Sequence, residues 1–173
     1  MKSRLPLPDV DRLNAQQRVV YDSILSTRGN LDGPFLAWMH SPELASRAER
    51  LGAFCRYSTE LSMLESELLI LLVAAHFQCD GERQIHEPIA LSAGLTQSQI
   101  EAIWKGVPAQ LEKRLDLLQQ LSGELLRNNR ISAATYSAAL SDFGPQKLVE
   151  AIAVLGYYAL VALTLNAFEM AKV

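Results

Sequence analysis

The feature that most constrains this chain is a stretch that would be apolar around the whole circumference of a helix. The run Leu68-Leu69-Ile70-Leu71-Leu72-Val73-Ala74-Ala75 leaves no polar face for solvent, so a helix over these residues has to be buried on every side. A second run, Ala151 to Phe168, carries no formal charge. Two such helices in one chain of 173 residues leave few elements to cover them, which predicts a helical core and assembly into a homo-oligomer.

The second run is long enough to span a membrane, so a membrane-spanning helix and a buried helix are two possible interpretations of it. Gly156 and Asn166 interrupt it, and Tyr157 and Tyr158 lie in its middle, whereas the aromatic residues that anchor a span gather at its two ends. We therefore expect a helix that is buried in a core or a subunit interface, and no membrane partner.

Start signals for helices recur along the chain, and the sequence lacks the alternating runs and tight-turn pairs of a β-sheet. Ser62 with Glu65 and Thr96 with Gln99 form capping boxes. Ser41 precedes a proline at a first helical position, and Gly144-Pro145 opens the last helix. The sequence predicts an all-α fold with helices at residues 11–27, 42–57, 62–77, 81–93, 97–105, 108–128, 132–141 and 145–170. Residues 1–35 form an N-terminal arm in this interpretation, and residues 36–173 a single helical domain.

Charge and cysteine content exclude several classes of protein. The 16 Lys and Arg residues against 19 Asp and Glu residues give a net charge of −3, so the chain has no basic field for nucleic acid. Cys55 and Cys79 are too few for a disulfide scaffold and lack the paired spacing of a zinc site. A reducing compartment, the cytoplasm, is expected.

The residues that could carry chemistry interrupt the apolar region. Glu67 lies inside the buried helix, where a carboxylate is costly unless it is paired. Cys79, Glu82 and His86 follow at helical spacing i, i+3 and i+7, so a helix that begins near Cys79 presents them on one face. If two helices cross here, Glu67 can orient His86 as a general acid/base, with a thiol of lowered pKa nearby.

Structural interpretations stay open for each of these residues. Glu67 can be a hydrogen-bonding acid between helices, His86 a satisfied core histidine, and Cys79 a small buried hydrophobe. Glu82 and His86 can pair at the surface or share a metal, but further ligands at helical spacing are missing, so we predict no metal.

At these residues the chain resembles the carboxymuconolactone decarboxylase family, which includes the alkyl hydroperoxidase D (AhpD) type enzymes. One stretch that carries the resemblance runs from Gly33-Pro34-Phe35 to His40-Ser41-Pro42-Glu43-Leu44. The other runs from Leu61-Ser62 through Glu67, Cys79, Glu82 and His86-Glu87-Pro88 to Ala93-Gly94-Leu95-Thr96. The resemblance implies an all-helical AhpD-like bundle that assembles as a trimer, a dimer or a hexamer.

The resemblance also implies roles for the polar residues. Peroxidase members use a relay glutamate, a C-x-x-C pair and a histidine, which match Glu67, Cys79 and His86, but Glu82 stands where the second cysteine would be. Without that cysteine a self-contained dithiol cycle is impossible. Many non-peroxidase members carry a tyrosine-glutamate-tryptophan run instead. Glu82 matches its glutamate, while Gly81 and Arg83 replace the aromatic residues.

These observations lead to a cofactor-free, decarboxylase-like enzyme as the first expectation. His86 would act as general acid/base with Glu67 and Glu82 sharing its proton, and Arg56 or Arg83 would bind an acidic or lactone-like small-molecule substrate. Two alternatives remain open: thiol-dependent reduction of a hydroperoxide at Cys79, and a non-catalytic oligomeric binding protein.

Overall fold

The computed structural model describes residues 2–170 as helices joined by loops. A short 3₁₀ turn at Val10–Arg12 precedes the first α-helix. The α-helices are α1 (Ala15–Arg28), α2 (Phe35–Trp38), α3 (Pro42–Tyr57), α4 (Met63–His76), α5 (Asp80–Ala93), α6 (Gln97–Trp104), α7 (Lys113–Asn128) and α8 (Ala133–Ala167). The predicted all-α fold is confirmed.

Helix α4 is the centre of the molecule. It packs against α5, α6, α7 and α8, and Leu68, Leu69 and Ile70 are completely buried. Ser62 and Glu65 form the predicted capping box at its start. Six of the eight residues of the run Leu68–Ala75 are buried, whereas Leu72 and Ala75 are half-buried, so the predicted core helix is confirmed but is not buried on every side.

The starts of two predicted helices need correction, and one short helix was not predicted. Helix α1 begins at Ala15 and not at residue 11, because Asn14 and Gln17 form a capping box. Helix α7 begins after Glu112 and not at residue 108. Helix α2 was not predicted, since four residues are too few to show helical periodicity.

Gly144 interrupts α8 as the Gly144-Pro145 signal predicts. Its φ of 75° and ψ of 169° lie outside the helical region, a backbone conformation that glycine adopts without a steric penalty. The predicted end at residue 170 is three residues too late, because α8 ends at Ala167. Its apolar part is long enough to cross a membrane by length and composition, but 61% of that part is buried inside the fold.

The N-terminal segment lies along the body of the molecule. The backbone N–H of Arg4 donates to the carbonyl of Phe168 over 2.9 Å, and α1 packs on α3 with Val20 and Ile24 in the core. The division into an arm at 1–35 and a domain at 36–173 stays a prediction.

Candidate functional site

The predicted crossing of two helices brings Glu67 and His86 together. Glu67 on α4 and His86 on α5 are 3% and 4% exposed, and Glu67 Oε2 lies 2.7 Å from His86 Nδ1. A buried carboxylate paired with an imidazole at this distance is the orienting contact that acid/base histidines use.

This contact fixes which nitrogen of His86 carries a hydrogen. Nδ1 donates to the Glu67 carboxylate, so Nε2 of the neutral ring has a free lone pair. Arg56 Nη1 also lies 3.4 Å from Nδ1, but a guanidinium only donates, so it cannot bond a nitrogen that already bears a hydrogen. Nε2 is therefore the nitrogen available for proton transfer.

Glu82 lies one turn before His86 on α5 and faces that second nitrogen. Its Oε2 is 3.5 Å from Nε2 and has no hydrogen-bond partner among residues 2–170. Burial raises the pKa of Glu82, although the charges of His86 and Arg56 oppose the shift. The raised pKa shifts Glu82 toward its neutral form, beside Nε2.

Arg56 and Tyr158 complete the network. Arg56 Nη1 lies 3.4 Å from Glu67 Oε1 and 3.4 Å from the Tyr158 hydroxyl. The Tyr158 ring meets the His86 ring edge to face, with 5.3 Å between the centroids. Sequence reasoning missed Tyr158 as a site residue, because an aromatic residue inside an apolar helix has the pattern of ordinary core packing.

A cavity of about 270 Å³ opens beside this network. It is lined by His86, Glu82, Arg56 and Tyr158, and residues between Arg28 and Phe35 also line it. Its lining residues are Arg28, Asn30, Asp32, Gly33, Pro34, Phe35, Arg56, Tyr57, Glu82, Ile85, His86, Ile89, Tyr157, Tyr158 and Val161. The volume is just below the lower end of the range for small-molecule sites, about 300 Å³, so a ligand of this cavity has to be small.

A larger cavity of about 470 Å³ lies elsewhere, between the end of α4 and helix α7. His76 borders it together with Trp104, Asp116 and Arg127. None of the residues predicted as site residues lines this cavity, so the smaller one is the candidate site.

Cys79 differs from its prediction. It is the N-cap residue of α5 and completely buried, and it does not line the cavity. Burial raises the pKa of its thiol to about 11, although backbone N–H groups of Glu82 and Gly81 favour the thiolate. The expected lowering of this pKa at a helix N-terminus is wrong, because desolvation is the larger effect.

Arg83 is not brought together with the other predicted residues. Its guanidinium pairs with Glu87 over 2.7 Å and with Glu101, and it covers the Trp104 ring. Arg83 does not line the cavity, so the prediction that it binds substrate there needs correction. Of the two predicted arginines, only Arg56 reaches the cavity.

The packing at the start of α5 leaves little room for a side chain at Gly81. A Cβ atom on Gly81 would lie 3.0 Å from the carbonyl oxygen of Met170 and 3.2 Å from the Leu165 side chain. The start of α5 therefore packs closely against the end of the described chain. Residues 2–170 contain no group of three or more His, Cys, Asp or Glu side chains placed to hold a metal ion.

Comparisons with solved structures identify the fold. The chain superposes on the AhpD core of an uncharacterized peroxidase-related protein from Ralstonia eutropha JMP134, with a TM-score of 0.82 and 16% identity, over 99% of this chain and 92% of that chain. It also superposes on an uncharacterized peroxidase-related protein from Silicibacter sp. TM1040, with a TM-score of 0.79 and 17% identity, over 97% and 90% of the two chains. No protein-family model and no curated protein matches the sequence.

The chain has the AhpD-like fold. At 16–17% identity the two neighbours establish the fold alone, so the choice between decarboxylase-like and peroxidase-like chemistry has to be argued from the site.

Proposed function

We propose that this chain is a small cofactor-free enzyme that transfers a proton to or from an acidic or lactone-like substrate, with His86 as the general acid/base. The observation that carries the proposal is the buried Glu67–His86–Glu82 set at the wall of the cavity. Glu67 orients the ring at 2.7 Å, and Glu82 with its raised pKa provides a proton near Nε2.

The proton transfers follow from this arrangement. His86 Nε2 accepts a proton from a substrate carbon or oxygen, and the Glu67 carboxylate stabilises the imidazolium that forms. The neutral Glu82 carboxyl group delivers a proton to the site. In a decarboxylation His86 takes the proton of the substrate carboxyl group, the carbon–carbon bond breaks and CO₂ leaves. The electron pair left on the substrate carbon takes the Glu82 proton, and transfer of a proton from His86 to Glu82 restores the starting state.

A second candidate function is reduction of a hydroperoxide at Cys79. It is favoured by the fold neighbours, which are described as peroxidase-related proteins. Attack of the thiolate on the peroxide would release an alcohol and leave a sulfenic acid, which an outside thiol would reduce. The raised pKa and complete burial of Cys79 oppose this function, so we place it second.

Two matched variants separate these functions. We expect His86→Ala to lower turnover of small lactones and carboxylic acids about 100- to 10,000-fold, the contribution of a positioned acid/base, and Cys79→Ser to have little effect. Full activity in both variants would contradict the proposal. Trapping of sulfenic acid at Cys79 after one equivalent of an organic hydroperoxide would favour the second function. Ligand-induced stabilisation without turnover would favour a binding protein.

We also propose that the chain forms a homo-oligomer through the outer face of α8. Val149, Ile152, Leu160 and Leu163 are exposed along this helix, and they recur at helical spacing on either side of Gly156. We expect Leu163→Glu to lower the molar mass found by light scattering, while Tyr136→Glu, on the part of α8 before Gly144, leaves it unchanged. An unchanged mass for Leu163→Glu would remove this face from the interface.

A further inference from the structure

Arg28, at the end of α1, was not singled out by the sequence and takes no part in the proposed proton transfers. It lines the cavity together with Arg56, Tyr157 and Tyr158, so two arginine residues line the space that His86 and Glu82 also line. Asp32 borders the same space.

The guanidinium of Arg28 is held in an unusual environment. Its Nε and Nη2 atoms are buried and have no hydrogen-bond partner among residues 2–170. The group lies over the Phe35 ring, with 4.7 Å between Cζ and the centroid, and 6.0 Å from the Tyr57 centroid. Aromatic faces attract the cation, but they do not replace the missing hydrogen bonds, and buried donors without acceptors cost stability.

Gly52 on α3 makes room for this arrangement. A Cβ atom there would lie 2.7 Å from Arg28 Nη2 and 2.1 Å from the Tyr157 hydroxyl. The close approach of the guanidinium to α3 therefore depends on the absence of a side chain at residue 52. The fold keeps a cation at the cavity wall although its hydrogen bonding is incomplete.

Arg56 offers a contrast on the same wall. Its Nη1 is within 3.4 Å of Glu67 and Tyr158, so this guanidinium supports the catalytic network. Arg28 lines the same cavity and lacks hydrogen-bond partners at Nε and Nη2 among residues 2–170. A carboxylate matches a guanidinium in charge and in planar geometry, and the aromatic rings beside Arg28 suit an apolar body.

We propose that Arg28 is a specificity-determining residue that binds the carboxylate of a small organic acid in this cavity. The inference rests on the proposed function in using the same cavity, and it adds that α1 supplies the cation that selects the substrate. If Arg28 serves binding at a cost in stability, replacing it should weaken ligand binding without destabilising the fold.

The test is calorimetric titration of the full chain with sodium benzoate, with benzamide as the uncharged match and inorganic phosphate as a different anion. We expect benzoate to bind with a Kd of about 1 mM or tighter and benzamide to bind more weakly. Arg28→Met keeps an apolar stem, and we expect it to weaken benzoate binding at least about 10-fold with an unchanged or higher Tm. Arg28→Lys keeps the charge without the planar fork and is expected to fall between the two.

Arg83→Met is the matched control, since Arg83 does not line the cavity, and benzoate binding is expected to stay within about 2-fold. The inference is overturned if the wild-type chain does not bind benzoate or binds phosphate alone. It is also overturned if Arg28→Met has a lower Tm and an unchanged affinity for benzoate. The proposed function is tested separately. If turnover depends on His86 but Arg28→Met binds benzoate as well as the wild-type chain, only the inference about Arg28 is wrong. If benzoate binding depends on Arg28 but no substrate is turned over, only the proposed function is wrong.

Discussion

Helix α5 contributes to two charged clusters that differ in burial and in hydrogen bonding. The inner cluster joins Glu82 and His86 to Glu67 and Arg56, with side chains 3–19% exposed and several contacts of 3.4–3.5 Å. The outer cluster joins Arg83 to Glu87 and Glu101, with side chains 20–38% exposed. Both sets contain an arginine and two carboxyl groups, so composition does not separate them.

The difference lies in how completely each cluster is satisfied. In the outer cluster the guanidinium pairs with both carboxylates close to solvent, and ion pairs of this kind make a modest contribution to stability. In the inner cluster burial raises the pKa of one carboxyl group and leaves its Oε2 without a hydrogen-bond partner among residues 2–170. Perturbed groups beside a cavity are the usual mark of a reactive site.

The largest expected effect of this difference is on stability at Glu67. We expect Glu67→Ala to lower the free energy of unfolding by about 3–5 kcal/mol, because it leaves Arg56 and the Nδ1–H of His86 buried without their acceptor. The matched outer variant, Glu87→Ala, is expected to lose at most about 1 kcal/mol. Urea denaturation at fixed protein concentration measures both, and equal losses would show that the two clusters do not differ energetically.

The second prediction concerns the pH dependence that Glu82 gives to stability. Because its pKa is raised above the ordinary value of 4.5, the native state holds this proton more tightly than the unfolded chain does. The stability that comes from the proton is complete below about pH 4.5 and is lost as the pH rises through the raised pKa. Glu82→Gln is neutral at every pH and should lack this loss.

The measurement is the difference in unfolding free energy between Glu82→Gln and the wild-type chain from pH 4 to pH 9. We expect the difference to move in favour of the variant as the pH rises, and we expect the alkaline limb of the pH–rate profile to change with it. A difference that is constant with pH would mean that Glu82 is ionised in the fold, and the proton supply in the proposed mechanism would have to come from another group.

The sequence predicts the inner cluster better than the cavity beside it. Glu67 is a carboxylate inside an apolar helix, and His86 lies seven residues after the start of the next helix. From this pattern we predict that α4 and α5 cross at these two residues, and the distance of 2.7 Å between Glu67 and His86 agrees with that prediction. Arg28, Tyr157 and Tyr158 could not be placed in the same way. Their contribution depends on where α1 and α8 pack against α3 and α5, which helical periodicity does not encode.

Cys79 shows a different limit of sequence reasoning. Its position at the start of α5 is predicted from the spacing to Glu82 and His86, and the structure agrees. The reactivity of the thiol is not predicted correctly. The position at the helix start predicts the backbone N–H groups that favour the thiolate, but the desolvation that raises the pKa to about 11 depends on packing, which the sequence pattern does not show. Position follows from local pattern here, and chemistry follows from burial.

The smallest expected effect is at the centre of the outer cluster. Arg83→Gln should change the free energy of unfolding by less than about 1 kcal/mol and leave turnover within about 2-fold, because its guanidinium contacts Glu87, Glu101 and Trp104 and not the cavity. Raising NaCl to about 1 M shortens the screening length to about 3 Å, so this small loss should shrink, whereas the loss in Glu67→Ala should persist. If the stability loss in Arg83→Gln does not depend on salt, packing of the guanidinium on Trp104, and not ion pairing, stabilises the outer cluster. A large loss of turnover in this variant would mean that Arg83 does bind the substrate.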